Sequence, residues 1–375
     1  MEEHEVTMTT ASTPAPKKRK KVWRILLILL LSLVLLLGML FGGGYWWLHR
    51  TIDTNVNTAD TFTEEDVGAN DKDDMVNNVV DDDSDVESDA LKDRIDSVHN
   101  IALFGVDAEQ GSVGRSDAMI ILSIDKEYGK IKMTSLARDS LVPIEGHGEE
   151  KLTHAWAYGH AKLALKTINQ AFGMNITDYV YINFDEFQDV IDYIGGVEVH
   201  VNSLELKTLN YTPDEDKKVP GTGMQRLDGR QALLYSRIRS DSDTNRTARQ
   251  REVLIAMYEQ VRRQPITKLP ETMKRVMRLC HTNLDSVAML NIAKWALLDT
   301  PTIESLSMPN DQLKPWNGIL DNARGWVRIY DLDAAKKVLY NFIYETDAKV
   351  TGVTQYVPAT TTTVPEETTT TTTAH

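Results

Sequence analysis

The sequence predicts an α/β protein: a layered α-β-α fold around a central mixed sheet, preceded by a single transmembrane helix. Three observations carry that reading. Between Ile101 and Val201, short apolar runs of strand length alternate with segments of helical spacing, the pattern of a sheet covered by helices. Both ends of the 375-residue chain are strongly biased in composition, which leaves about 250 residues for one sizeable core. Only one cysteine, Cys280, is present, so no disulfide can form within the chain and stability must come from that core. The thiol itself reads as buried and inert.

Residues 1–24 read as a basic cytoplasmic tail, with Lys17, Lys18, Arg19, Lys20, Lys21 and Arg24 next to an apolar run. That run, Ile25 to Leu48, has no charged side chain and is long enough to cross a bilayer as a helix, with Tyr45, Trp46 and Trp47 at its far interface. The basic flank stays inside, so everything beyond Arg50 is expected outside the cell membrane. No small-x-small cleavage site follows, which favours an uncleaved anchor over a signal peptide.

The net charge of −14 is not evenly spread: Asp53 to Asp96 holds 16 acidic and 3 basic residues, a net of −13. Residues 49–97 are therefore expected to be an acidic, self-repelling, disordered stalk. Residues 348–375, rich in threonine, are expected to be a disordered tail. The remaining 98–347 form the outer domain, with a core over 100–263 and a helical remainder over 264–347.

Within that core, Ile101 to Val106 reads as a buried strand delivering Asp107 to a sheet edge. Ala118 to Asp125 and Lys130 to Ala137 read as a hairpin turning through Tyr128 and Gly129. Centred between Glu127 and Tyr128, it sets Asp117 opposite Arg138. His160 to Phe172 is a helix ending near Gly173, Tyr179 to Phe184 a strand, Asp185 to Ile194 a helix and Val197 to Val201 a strand. Asn202 to Met224 reads as a long polar loop, and Gly229 to Ser236 as a short helix capped by Asp228. A stronger helix runs from Asp243 to about Arg263, with Arg246, Arg249 and Gln250 sharing one face near its start. Pro265 to Glu345 is helix-rich, with one strand at Thr302 to Met308.

The chemistry-bearing residues are five arginines, Arg115, Arg138, Arg237, Arg239 and Arg246, beside two closely spaced aspartates, Asp107 and Asp117. Arginine's planar fork matches phosphate oxygens in pairs, and hard carboxylates hold magnesium, so the set suits a pyrophosphate bridged to a metal. A pair of apolar helix faces, His160 to Phe172 and Asp185 to Ile194, could part beside the sheet to house a lipid, although ordinary core packing gives the same pattern. Asp139 and Asp243 are the candidates to accept a proton, and position alone does not choose between them. His154 has the type of a catalytic base, but no serine or cysteine nucleophile motif accompanies it, which favours a hydrogen-bonded structural role. Lys151 could pair with Glu149 or Glu150 instead of serving a site; Trp156 and Tyr158 could stack on sugar, although core aromatics are commoner.

From Asn100 to about Arg263 the chain resembles the LytR-CpsA-Psr family of membrane-anchored cell-envelope transferases. Eight ordered blocks carry the resemblance: the strand ending Gly105-Val106-Asp107; Arg115-Ser116-Asp117; Ser135 to Asp139; Lys151 to Tyr158; Gly195-Gly196-Val197; Leu227-Asp228-Gly229; Tyr235 to Arg239; and Asp243 through Arg249-Gln250. The family commonly has proline before the arginine of the third strand, where this chain has Ala137, and the spacer between Asp107 and Asp117 is short. The resemblance implies a Mg2+-dependent enzyme, with Mn2+ as a substitute, that moves a glycopolymer from a polyprenyl pyrophosphate carrier to peptidoglycan at the membrane. It implies metal binding by Asp107 and Asp117. It implies pyrophosphate binding by Arg115, Arg138, Arg237, Arg239, Arg246 and Gln250, with Lys151 and Asp243 as further polar positions. Arg138, Arg237 and Arg239 are the arginines expected to act on the transition state.

Three rival functions share the sequence. A polyprenyl pyrophosphate phosphatase would use the same residues with water as nucleophile, and a wall-binding module would not need Asp117 at all. A membrane-bound transcriptional attenuator is disfavoured as a DNA contact, because the short basic tail has no pair of DNA-binding helices, and no nucleic-acid partner is expected.

Overall fold

The computed structural model describes residues 57–80, 87–108, 114–211, 218–239, 242–265, 267–350 and 353. The basic tail, the apolar run 25–48 and the threonine-rich residues from 354 onward lie outside them. Among the described residues no helix is long and apolar enough to cross a membrane.

In chain order the elements are β1 (Asn57–Thr58), α1 (Lys72–Asn77), α2 (Ser88–Ser97), β2 (Val98–Val106), β3 (Ser116–Asp125) and β4 (Lys130–Leu136). A small hairpin, β5 (Leu141–Ile144) and β6 (Gly148–Lys151), leads to α3 (Leu152–Phe172), β7 (Asp178–Asn183), α4 (Phe184–Ile194), β8 (Val197–Val201) and α5 (Ser203–Leu209). Then come β9 (Gly223–Leu227), α6 (Gly229–Ser236), α7 (Asp243–Arg262), α8 (Leu269–Leu279), β10 (His281–Thr282), α9 (Ser286–Leu298) and β11 (Thr302–Met308). The hairpin β12 (Trp316–Ile319) and β13 (Trp326–Ile329) and the helix α10 (Leu332–Tyr344) close the domain.

Local chemistry sets the helix ends. Reciprocal capping boxes, Asn183 with Glu186 and Asp228 with Gln231, satisfy the first amides of α4 and α6. Helix α3 stops where Gly173 takes a left-handed conformation (φ 67°), which a glycine adopts without strain. It begins earlier than its apolar spacing indicates, at Leu152, because the backbone leaves helical geometry at Gly159 and His160 and resets the phase of the pattern.

The central sheet runs in the order β1-β10-β7-β2-β3-β4-β11 and is mixed: β2, β3 and β4 are antiparallel neighbours, whereas β7 joins β2 and β11 joins β4 in parallel. The β3–β4 register pairs Asp125 with Lys130 and Ile120 with Ser135, the ladder expected for a turn centred between Glu127 and Tyr128. Side chains alternate across the sheet. Ala102, Phe104, Val106, Met119, Ile121 and Tyr179 enter a large core with Trp156, Leu165, Ile168 and Phe172 of α3 and Leu339, Tyr340 and Ile343 of α10. Their neighbours Ile101, Leu103, Leu122, Ile124 and Val180 face the other way and pack on α9.

Three expectations are corrected. The acidic segment is not a disordered stalk over its whole length. Val67, Met75, Val76, Val79, Leu91 and Ile95 are buried in the main core, the acids facing outward from the same stretch. Composition averaged the two together. Arg94 from this segment pairs with the fully buried Asp125 carboxylate, tying α2 to the hairpin turn. At the other end the tail does not begin at 348, because Ala348 is buried and bonded in both directions to the Asn341 amide (2.8 and 2.9 Å).

The second correction is that Val197 to Val201 is not a strand of the central sheet. It pairs antiparallel with β9 in a separate ribbon, and the expected loop Asn202 to Met224 contains α5 and β9. These elements form their own apolar cluster with α4, α6 and α7, around Ile194, Val199, Leu227, Ala232, Tyr235 and Val253. Third, the C-terminal remainder holds β10, β12 and β13 besides the expected β11.

Candidate active site

The edge of the sheet where β2 and β4 end and β3 begins gathers the polar residues. A bulge between Gly105 and Val106 and the bond from the Asp107 amide to the Arg115 carbonyl (2.8 Å) hold the two loop ends together. One residue pair past the last bonded rung, Arg138 donates to Asp117 (Nη1 to Oδ1, 2.8 Å). Arg239 reaches the other oxygen of the same carboxylate (Nη2 to Oδ2, 3.3 Å). Arg237 stands 3.6 Å from Asp107 and lies over the Phe184 ring (4.3 Å to its centroid). Ile238, between these two arginines, is buried in the second cluster, so alternation along the chain turns both guanidinium groups toward the sheet edge.

Asp107, Gly114, Arg115, Asp117, Arg138, Ala157 and Arg239 line one open polar hollow of about 540 Å3. A second, mostly apolar cavity of about 190 Å3 adjoins it and shares Asp117 and Arg239. Its floor is the sheet face opposite α3, with Leu103, Gly105, Ala118, Ile120, Val180 and Ile182; α4, α6, α7 and α8 form the walls. Arg246, Gln250, Leu254 and Met257 follow one another at helical spacing along α7, so a single stripe passes from charged at the sheet edge to apolar inside. The small side chains of Gly105 and Ala118, paired across β2 and β3, leave room there: a Cβ on Gly105 would stand 3.1 Å from that of Ala118.

The expected slot between His160–Phe172 and Asp185–Ile194 is therefore corrected. Phe184, Phe187 and Val190 on or beside the second helix line the cavity, but the first helix lies across the sheet, with Ala161, Ala164, Leu165, Ile168 and Phe172 filled into the main core. A helix before β7 and a helix after it cover opposite faces, and an apolar stripe alone does not say which face. Leu233, Leu254, Met257, Val276 and Cys280 are cavity residues that sequence reasoning missed, since they look like ordinary helix core. Burial, with Glu186 nearby, pushes the Cys280 thiol up to about 12, in keeping with an inert group.

Arg249 does not share the site with Arg246 and Gln250. It is buried, pairs with the buried Glu205 (Nε to Oε1, 2.7 Å) and donates to the Ile238 carbonyl (3.1 Å). It thereby clamps the backbone between Arg237 and Arg239. Asp139 is also a correction as a proton acceptor: Arg138 Nε and Lys151 Nζ each lie 3.3 Å from one of its oxygens, so its role here is to orient Arg138. Lys151 thus pairs with Asp139 rather than with Glu149 or Glu150, and lies one residue behind the hollow. Asp243 begins α7, and its side chain lies outside the described residues. Where the family commonly has proline, the Ala137 amide donates to the Met308 carbonyl (2.8 Å), a bond that fastens β4 to β11 just before Arg138 and that proline could not make.

His154 is bonded to Glu150, as a structural histidine. Trp156 is core, against Phe104 and Tyr181. Tyr158 is not core: it is 45% exposed and stacks on His147 (3.9 Å between centroids).

Among the described residues no group of three or more histidine, cysteine or acidic side chains could enclose a metal. Asp107 and Asp117 nevertheless fit magnesium in one manner. Magnesium is commonly held by one or two carboxylates while phosphates and waters complete its shell, and both acids line the hollow whose other charged residues are arginines.

A model of the LytR_cpsA_psr family matches residues 53–340. The chain belongs to the LytR-CpsA-Psr family. The match includes the acidic segment from 53 onward, in accord with its packing into the core. Over 196 residues the chain is 37% identical to a polyisoprenyl-teichoic acid–peptidoglycan teichoic acid transferase, TagU, of Oceanobacillus iheyensis, covering 50% of this chain and 59% of that one. TagU of Bacillus cereus is 29% identical over 247 residues, 64% of this chain and 76% of the relative. The chain thus spans between about half and three quarters of the curated relatives it matches. A solved structure of the family protein YwtF (TagT) with bound octaprenyl pyrophosphate lipid superposes with a TM-score of 0.52 at 26% identity, covering 67% of this chain and 92% of that one.

Proposed function

We propose that this LytR-CpsA-Psr protein is a membrane-anchored phosphotransferase that moves a glycopolymer from a polyprenyl pyrophosphate carrier to peptidoglycan, with Mg2+ (or Mn2+) as cofactor and residues 25–48 as the anchor. One observation carries the reading: an arginine-rich hollow and an apolar cavity meet at Asp117 and Arg239. A ligand with a doubly phosphorylated head and an isoprenoid tail has that shape and charge. The relatives' names, and the octaprenyl pyrophosphate bound to one of them, support the same choice.

In the reaction a peptidoglycan hydroxyl attacks the phosphorus that carries the polymer. A new P–O bond forms to the acceptor, the bond to the bridging oxygen breaks, and polyprenyl phosphate leaves. Negative charge grows on the equatorial and leaving oxygens, where preformed guanidinium donors act best because they need no reorganisation. Arg138 and Arg239 are pre-set by Asp117, Arg138 further by Asp139, and Arg237 and Arg239 by the Arg249 clamp on Ile238. A divalent ion held by Asp107 and Asp117 would neutralise part of the diphosphate charge. A carboxylate of the hollow takes the hydroxyl proton; Asp107, 45% exposed and only 3.6 Å from a single arginine, is the least encumbered of the three described acids.

The test uses the full chain, a polymer-labelled polyprenyl diphosphate and isolated cell walls. Label joined to peptidoglycan, abolished by chelator and by Arg138→Ala, is the expected result. Release of free polymer phosphate without attachment would replace the transferase with a hydrolase.

A further inference from the structure

A cavity of about 150 Å3 holds one benzene ring. At about 190 Å3, the cavity beside Asp117 takes the first isoprenoid units of a tail, and the rest of a long chain must leave the protein. The wall farthest along the α7 stripe from the charged edge is made by Met257, Val276 and Cys280, against α4. Two of these belong to α8 or its end, and the outer side of that helix is unlike the rest of the chain. Between 262 and 278 there are six basic residues and one acid, Glu271, in a protein whose net charge is −14. Arg262, Arg263, Lys268, Arg275 and Arg278 are exposed and Lys274 is half-buried. Two of them have acidic neighbours, Arg262 with Glu259 (3.4 Å) and Arg263 with Glu198 (2.7 Å), both exposed pairs of little strength. Arg275 lies 6.0 Å from the ring of Tyr193, itself 39% exposed on α4, so an amphipathic aromatic flanks the basic face where α4 meets α8.

We infer that the basic face of α8, with the end of α7 and Tyr193, docks on an anionic lipid surface, so that the seam between α4 and α8 opens toward the bilayer. Charge complementarity selects the partner: basic side chains gather at anionic headgroups, and a tyrosine with one wet and one apolar end suits the interface. The inner side of the same helix lines the cavity, so docking places the tail's exit at the membrane. The exit route rests on the diphosphate-lipid reading above. The docking does not, because it needs only headgroup charge.

The full chain is placed in lipid nanodiscs of phosphatidylcholine alone or mixed with phosphatidylglycerol, with no donor, and amide exchange over 262–280 is followed. Each basic residue near an anionic surface contributes roughly fivefold to binding, so the paired variant K268E/R275E should lose about 25-fold or more. We expect exchange slowed only by phosphatidylglycerol, with that slowing abolished in the variant and diminished at high salt, while β8 and β9 exchange alike throughout. Equal exchange in both discs overturns the inference, as does a variant that keeps its protection. Equal slowing by a soluble glycerol phosphate polymer over phosphatidylcholine would overturn it in favour of a polymer site. The neutral pair K268Q/R275Q, which keeps the side-chain stems, should fall between the two and guards against a misfolded variant. A protein that docks but fails to transfer would sink the transferase and leave this inference standing.

Discussion

The two faces of the central sheet are built from the same strands and do different work. On one, Phe104, Ile121 and Tyr179 interlock with α3 and α10, and Phe172 is fully buried. On the other, Leu103, Gly105, Ala118 and Ile120 floor a cavity whose mouth carries the arginines. Strand alternation sends neighbouring side chains to opposite faces, so a single residue step separates stability from ligand space. The contrast teaches that small residues at one rung are enough to convert a packing surface into a binding one.

The largest break in that contrast is expected from the filled face. Phe172→Ala should cost about 3–5 kcal/mol in denaturant unfolding, whereas Val276→Ala on the cavity wall should cost about 1 kcal/mol or less because its surroundings are already open. Comparable losses from the two would erase the distinction. Next, Arg138→Ala should slow transfer by about 100-fold to 1000-fold, the usual cost of a preorganised donor to a developing oxyanion. Its melting temperature should move far less than that of Phe172→Ala. A smaller effect comes from filling the other face: Ala118→Phe should weaken binding of a polyprenyl diphosphate by about tenfold or more, by displacing buried methylenes. Binding of inorganic pyrophosphate should survive that change, and its loss would mean that the hollow and the cavity are not separable.

The smallest effects are in pH. Burial, with Glu186, raises the Cys280 thiol from 9.0 to about 12. Between those values the unfolded chain releases a proton that the folded chain keeps, so stability present below about pH 9 is lost as pH rises toward 12. Burial raises the phenols of Tyr179, Tyr235, Tyr340 and Tyr344 as well, which steepens the alkaline loss. Cys280→Ala should flatten the first part of that slope in urea midpoints measured from pH 8 to 11. Glu345 has the opposite sign. Burial would raise its carboxyl, but bonds from Lys130 and Lys132 outweigh this and hold it below 4.5, so its contribution is lost as pH falls below that value.

Much of the edge that carries the chemistry was legible in the residues. The β3–β4 register follows from the turn at Tyr128 and Gly129, and it alone sets Asp117 against Arg138. Gly173, Gly195, Asn183 and Asp228 mark helix ends by their own backbone and side-chain preferences, which need no tertiary context. The sequence by itself determined local geometry of this kind, because hydrogen bonds and sterics within a few residues decide it.

Only the tertiary structure decided which face each helix covers, that Arg249 clamps Ile238 instead of meeting a ligand, and that Asp139 is spoken for by Arg138 and Lys151. It also decided that the acidic run holding Met75 and Leu91 packs into the core. Those outcomes depend on partners 27 to 211 residues away in other cases too, such as Ala137 on Met308 or Lys132 on Ile343. Composition and periodicity say how apolar or charged a stretch is; burial and pairing depend on what arrives from elsewhere in the chain to meet it.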